Sequence, residues 1–195
     1  MGLFNKGQAQ PQVSDRQKLI NRFASGRGVL LSIVLFTALN IVLLVTNSNT
    51  YFLFSAFIPY ALVDYGMYFC GKYPAEFYEG DLSEYQFWGD SVLIVLVVIA
   101  VVILVLYLLC WLFSKKPRVG WLIAGLVFFA MDTVLMLLLG GEAFMTALDL
   151  LFHGWALFSL IFGIISYYKL KKLPAEEEIP VPVQAETSVP VEENI

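Results

Sequence analysis

Three ionisable side chains, Asp132, Asp149 and His153, stand within long apolar stretches of this 195-residue chain. An ionisable group at the centre of a membrane helix costs about 2.5–3.5 kcal/mol, so such residues are expected to face the interior of a helix bundle. His153, the only histidine, follows Asp149 by four residues, which places both on one helix face. Counting back from the short turn at 141–143 places Asp132 and Asp149 at the same expected depth, and Asn40 is expected at a comparable depth on another helix. We call these four residues the intramembrane polar cluster.

Three kinds of chemistry fit this polar cluster. Its members can hydrogen-bond to one another and fix the registry of the helices. Two neighbouring carboxylates can share a proton, which suits a proton-coupled switch or an ion path. Asp132, Asp149 and His153 can also hold a zinc ion with an open position for water. The Asp-x-x-x-His spacing is short, however, and neither an H-E-x-x-H motif nor a second histidine accompanies it.

Other catalytic signatures are absent from the sequence. No G-x-S-x-G elbow, P-loop or glycine-rich dinucleotide motif occurs. Cys70 and Cys110 are too few for a disulfide scaffold or a four-cysteine zinc site. No catalytic residue is therefore assigned, and the function is expected to be non-enzymatic. No cofactor is expected unless the polar cluster binds zinc.

The composition is typical of a membrane protein. Apolar residues make up 59% of the chain and charged residues 14%, and the mean hydropathy is +0.75. A soluble domain of this length could not bury so much apolar surface. With a formal net charge of -4, the chain also lacks the basic balance that nucleic-acid binding requires. The expected partner is the lipid bilayer, and no nucleic acid is expected.

A helix needs about 20 apolar residues to cross a bilayer. Four stretches are predicted to do so, namely 29–46, 91–113, 120–140 and 144–168. A fifth stretch, 51–71, is long enough but contains Pro59 and Asp64, so it is predicted to be an interfacial or re-entrant helix. The predicted fold class is an all-α integral membrane protein built as a four-transmembrane-helix bundle.

The basic residues decide between four and five crossings, because lysine and arginine in short loops stay on the cytoplasmic side. With four crossings, eleven of the twelve basic residues lie on one side and only Lys72 lies on the other. If 51–71 also crossed, the basic residues would divide six to six. Four crossings are therefore predicted, N-in and C-in with both termini cytoplasmic, in the plasma (inner, cytoplasmic) membrane of a bacterium.

The segments around the spans differ in character. Residues 1–28 and 114–119 are basic and are predicted to be cytoplasmic, and residues 141–143 are predicted to form a short outer turn. The tail 169–195 is predicted to be cytoplasmic, acidic and disordered. Segment 47–90 is predicted to be extracytoplasmic, and it is both aromatic and acidic.

Segment 47–90 supplies the predicted outer recognition patch. Its members are Tyr51, Phe52, Tyr60, Asp64, Tyr65, Tyr85 and Trp88. Exposed aromatic side chains rimmed by acids are typical of recognition surfaces. The leading hypothesis is a non-enzymatic accessory or scaffold subunit that uses this patch to recognise lipid, another membrane protein or a second copy of itself. The alternative is a proton-coupled or metal-dependent activity centred on the polar cluster.

Cysteine labelling tests the predicted topology. In a chain whose two native cysteines are replaced by serine, Lys72→Cys is expected to react with a membrane-impermeant maleimide added to intact cells. Lys115→Cys is expected to react only after the membrane is permeabilised, because it lies in the basic cytoplasmic loop. Labelling of both positions from the same side would contradict the four-crossing topology.

Overall fold

A computed structural model describes residues 15–48, 50–115, 118–140 and 146–173. Within these residues the chain is helical and contains no β-strand. The α-helices are α1 (Asp15–Val45), α2 (Phe57–Phe69), α3 (Asp90–Phe113), α4 (Gly120–Leu139) and α5 (Ala147–Lys172). Two single-turn 3-10 helices, Ala75–Phe77 and Leu82–Glu84, lie between α2 and α3.

Four of these helices, α1, α3, α4 and α5, are long and apolar enough to cross a membrane. This confirms the prediction of four helices with that length and composition. α2 has 13 residues and is about 20 Å long at the helical rise, which is short of a hydrocarbon layer of roughly 30 Å. Large apolar side chains such as Ile94, Leu138 and Phe158 are exposed on the long helices, which suits a lipid-facing surface.

The helices α1 and α5 are longer than the predicted spans. α1 begins at Asp15 rather than at residue 29, and α5 continues to Lys172 rather than ending at residue 168. The additional part of α1 contacts α5, since the rings of Phe23 and Tyr167 pack with centroids 5.5 Å apart. Packing against α5 therefore stabilises the part of α1 that precedes the stretch detected by hydropathy.

Close backbone approach joins α1 to α5. A Cβ atom at Gly26 would lie 3.0 Å from the Cα of Gly163 and 3.0 Å from the carbonyl oxygen of Ser159. Small residues of this kind allow membrane helices to approach closely. Beside Gly26, the Nε of Arg27 donates a hydrogen bond of 2.9 Å to the Oγ of Ser114, which ties α1 to the residue that follows α3.

The short helix α2 packs against α3. A Cβ atom at Gly66 would lie 2.9 Å and 3.0 Å from side-chain atoms of Leu93 and Leu96. The N–H of Trp88 donates to the carbonyl oxygen of Phe69 at 2.8 Å, so the end of α2 lies beside the beginning of α3. We call this part of the molecule the loop end of the bundle.

The close contact between α1 and α5 can be tested with two alanine substitutions. Gly26→Ala is expected to lower the free energy of unfolding by about 1–3 kcal/mol, because the new methyl group would overlap backbone atoms of α5. Gly28→Ala is the matched control on the same helix, since a Cβ atom there meets nothing within 4 Å. Denaturant unfolding in mixed micelles, followed by circular dichroism, gives the comparison. Equal stability of the two variants would contradict the close contact.

Candidate functional site

Asp132 of α4 binds the beginning of α2. Its Oδ2 accepts a hydrogen bond from the N–H of Phe57 at 2.8 Å, and its Oδ1 accepts one from the N–H of Ile58 at 2.8 Å. The side chain is buried and lies at the positive end of the α2 dipole, which favours a carboxylate there. Asp132 therefore acts as a helix cap that is supplied by a neighbouring helix.

The remaining donors at the start of α2 are also accounted for. An α-helix leaves its first four N–H groups without intrahelical acceptors. The N–H of Ala56 donates to the Oγ1 of Thr37 at 2.7 Å, and Pro59 has no N–H. The sequence suggests that Pro59 breaks or kinks the segment 51–71, but in the structure it lies in the first turn of α2, where proline is tolerated.

Asn40 holds the chain that leads into α2. Its Nδ2 donates to the carbonyl oxygen of Phe52 at 2.6 Å, and its Oδ1 accepts from the N–H of Phe52 at 2.8 Å. Thr37 lies three residues before Asn40 on α1 and binds Ala56. The segment 52–56 therefore runs back along α1 toward the interior of the bundle. Together, Asn40, Thr37 and Asp132 form what we call the α2 anchor.

Thr37 is the member of the α2 anchor that was absent from the sequence prediction. It is fully buried, and its hydroxyl also donates to the carbonyl oxygen of Ile33 within α1. The three-residue spacing between Thr37 and Asn40 places both on one helix face. That spacing was the available signal, but threonine is common in membrane helices because its hydroxyl bonds to its own helix.

His153 lies next to Asp132. Its Nδ1 is 2.9 Å from the backbone carbonyl oxygen of Asp149, and because a carbonyl only accepts, Nδ1 carries the proton. Its ring stacks on Phe129 with centroids 5.1 Å apart. Its Nε2 is 3.9 Å from the Oδ2 of Asp132. This nitrogen is buried and has no hydrogen-bond partner within the described ranges. The proton-coupled hypothesis for Asp132, Asp149 and His153 stays a prediction, and of these three side chains the structure brings Asp132 and His153 together.

Asp149 bonds to the N-cap residue of its own helix. Thr146 caps α5, because its Oγ1 accepts a hydrogen bond from the N–H of Asp149 at 3.1 Å, and its hydroxyl donates to the carboxylate of Asp149. The residue count from the short turn at 141–143 predicts Asp149 at the depth of Asp132. In the structure His153 is level with Asp132 instead, because α5 begins at Ala147 and Asp149 lies in its first turn.

The geometry gives no support to the predicted zinc site at Asp132, Asp149 and His153. The carboxylate of Asp149 binds Thr146, and both carboxylate oxygens of Asp132 bind backbone N–H groups. In the portion of the chain that the structure describes, no three His, Cys, Asp or Glu residues are arranged to hold a metal ion.

A cavity of about 920 Å³ opens at the loop end of the bundle. It lies between the end of α1, one face of α2 and the loop that follows α2. We call it the aromatic pocket. Its aromatic and acidic lining residues are Tyr60, Tyr65, Tyr68, Phe69, Tyr73, Phe77, Asp64 and Glu76. The pocket therefore combines six aromatic side chains with two carboxyl groups.

Asp64 is the half-buried acid of the aromatic pocket. The hydroxyl of Tyr73 donates a hydrogen bond to its Oδ1. Burial raises the pKa of Asp64 above its ordinary value, and the hydrogen bond from Tyr73 partly offsets that rise. Burial and the nearby Asp64 charge raise the pKa of Tyr60 to about 12. Tyr60 and Tyr73 therefore stay neutral at physiological pH and keep their hydroxyl protons.

The pocket brings together three residues of the predicted recognition patch, Tyr60, Asp64 and Tyr65. Tyr60, Asp64 and Tyr68 follow one another at four-residue spacing, which places them on one face of α2. That spacing could have added Tyr68 to the prediction. The loop residues Tyr73, Glu76 and Phe77 follow no helical period, so only the fold shows that they line the pocket.

The other four patch residues lie outside the lining of the pocket. Tyr51 packs edge-on against Tyr60 with centroids 5.3 Å apart, and Phe52 stacks against Phe36 at 6.0 Å. Trp88 stacks on Phe69, a lining residue, at 4.7 Å.

Tyr85 is the last of these four residues. It stacks on Phe87 at 5.7 Å, and its hydroxyl donates to the carbonyl oxygen of Glu79. Three of the seven predicted patch residues therefore line the pocket, and the other four pack against aromatic side chains around it.

The role of Asp132 as a cap can be tested against Asp149. Asp132→Asn is expected to speed amide hydrogen exchange at Phe57 and Ile58 by at least about tenfold, because a hydrogen bond to a charged group contributes about 1.5–3 kcal/mol. Asp149→Asn is the matched control, since its side chain bonds within α5. Hydrogen-exchange mass spectrometry on peptides that cover 52–60 gives the readout. Equal exchange at α2 in the two variants would contradict the proposed anchor.

Comparisons with known proteins do not supply a function for this arrangement. No protein-family model, curated protein or solved structure matches the chain. The α2 anchor and the aromatic pocket are therefore interpreted from their own geometry and chemistry.

Proposed function

We propose that this chain is a non-enzymatic, multi-pass membrane protein that recognises a small molecule or a lipid headgroup in its aromatic pocket. The observation that carries this proposal is the anchoring of α2. Asp132 accepts two hydrogen bonds and Thr37 accepts one from the backbone at the start of α2, and one face of this helix lines the pocket. A site on a fixed helix is held more precisely than a site on a loop.

The size and lining of the pocket support ligand binding. Small-molecule sites usually have volumes of about 300–1,000 Å³ and combine apolar walls with a few polar groups. The pocket has about 920 Å³, six aromatic side chains and the carboxyl groups of Asp64 and Glu76. Its described lining includes no histidine, cysteine or lysine, and the carboxyl group of Asp64 is already bound by the hydroxyl of Tyr73. Recognition is therefore favoured over catalysis.

The proposed topology places the pocket on the extracytoplasmic side. The basic residues favour cytoplasmic termini in a bacterial cytoplasmic membrane, because eleven of the twelve lie on one side when there are four crossings. In that arrangement, segment 52–56 descends from the outer face beside α1, and α2 returns toward it as a re-entrant helix. The three hydrogen bonds at the start of α2 support this proposal, because backbone N–H groups at membrane depth need acceptors within the protein.

Native mass spectrometry tests the proposal. The purified full-length chain is incubated with a bacterial polar lipid extract, and the expected result is a bound lipid or small molecule that survives detergent removal. The double substitution Tyr65→Ala and Phe77→Ala is expected to reduce occupancy at least about tenfold, because both side chains line the pocket. Phe158→Ala is the matched control, since Phe158 is an exposed aromatic residue of α5.

Two results would contradict the proposed function. One is the absence of any bound species on the unmodified chain. The other is an equal loss of occupancy in the Phe158 control, which would indicate general lipid contact rather than binding in the pocket.

A further inference from the structure

We propose that the aromatic pocket binds an organic ammonium group, with Asp64 as its counter-charge. This inference rests on the proposed function and names the chemical class of its ligand. The ligand group is a primary or quaternary amine, presented either by a free small molecule or by a lipid headgroup such as choline or ethanolamine.

The walls of the pocket fit an organic cation. An aromatic ring attracts a cation placed over its face within about 6 Å of its centroid. Six aromatic side chains contribute to the lining, and two of them, Tyr73 and Phe77, stack on each other with centroids 5.1 Å apart. A bulky alkylammonium group can contact several such rings at once, whereas a hard metal ion needs a shell of oxygen ligands.

The charges in the pocket also favour a cation. Asp64 and Glu76 line it, and its described lining contains no basic residue. The nearest basic residue along the chain is Lys72, whose Nζ pairs with the Oδ1 of Asp90 at 2.8 Å. An anionic ligand would meet two carboxyl groups without a compensating positive charge, and a cationic ligand would complement them.

Asp64 is placed to act as the counter-charge. The hydroxyl of Tyr73 fixes its Oδ1, so the orientation of the carboxyl group is set before a ligand enters. Partial burial disfavours its charged form, and a bound cation would relieve that cost. Binding of a positive charge is therefore expected to gain more at Asp64 than at a fully solvated carboxylate.

A pair of isosteres tests the inference. Choline chloride and the uncharged alcohol 3,3-dimethylbutan-1-ol have similar shapes and differ in the positive charge. Each is titrated calorimetrically into the purified full-length chain in phosphatidylglycerol nanodiscs. Choline is expected to bind about tenfold more tightly than the alcohol. Equal affinity would overturn the ammonium inference and leave the proposed pocket function intact. Failure of both probes to bind would overturn the inference as well.

Two isosteric substitutions assign the effect to Asp64. Asp64→Asn keeps an acceptor oxygen for Tyr73 and removes the charge, so it is expected to weaken choline binding about tenfold and to leave the affinity for the alcohol unchanged. Asp81→Asn is the control, because Asp81 is an exposed acid of the same loop and caps the turn at Ser83. Equal weakening in both variants would overturn the assignment to Asp64, since it would reflect the general negative charge of the loop.

Nanodiscs of phosphatidylcholine separate the two sources of the ligand. If the headgroup occupies the pocket, free choline is expected to bind in phosphatidylglycerol nanodiscs and to be excluded in phosphatidylcholine nanodiscs. If the ligand is a free amine, choline is expected to bind equally in both. Either result supports an ammonium site, and the difference between them identifies how the group is presented.

Discussion

Backbone N–H groups at the start of a helix cannot remain unpaired away from water, and this constraint organises the bundle around α2. Asp132 meets it with two hydrogen bonds and Thr37 with one. The fourth position in this first turn is Pro59, which has no N–H and so needs no acceptor. The burial of Thr37, Asn40 and Asp132 is thus explained by α2 and the chain that leads into it, to which all three bind.

The α2 anchor and the aromatic pocket are connected by α2 itself. α2 begins at the anchor, and Tyr60, Asp64 and Tyr68 then recur along one of its faces as the pocket wall. The loop closes the opposite wall, where Tyr73 reaches Asp64 through its hydroxyl. Asn40 fixes the chain before α2, and the bond from Trp88 to Phe69 fixes the chain after it. The wall of the aromatic pocket that α2 forms is therefore held at both ends of the helix.

Hydropathy was sufficient to predict the four long helices, because each carries a continuous apolar stretch. It could not predict the anchor, since Asp132 binds backbone N–H groups 75 and 74 residues away in sequence, and backbone groups carry no residue-type signal. Residue types point only to side-chain partners for Asp132, and these group it with Asp149 and His153. Thr146, three residues before Asp149, was a readable capping signal. The irregular loop at Tyr73 and Glu76 offered no period from which a pocket could be inferred.

The long separation between Phe57 and Asp132 also constrains how the protein is made. Translation delivers α1 and α2 well before α4, so the start of α2 has no carboxylate to receive it when it leaves the ribosome. The two hydrogen bonds to Asp132 can therefore form only after α4 has been translated. The second helix of the sequence completes its contacts after the fourth has been made.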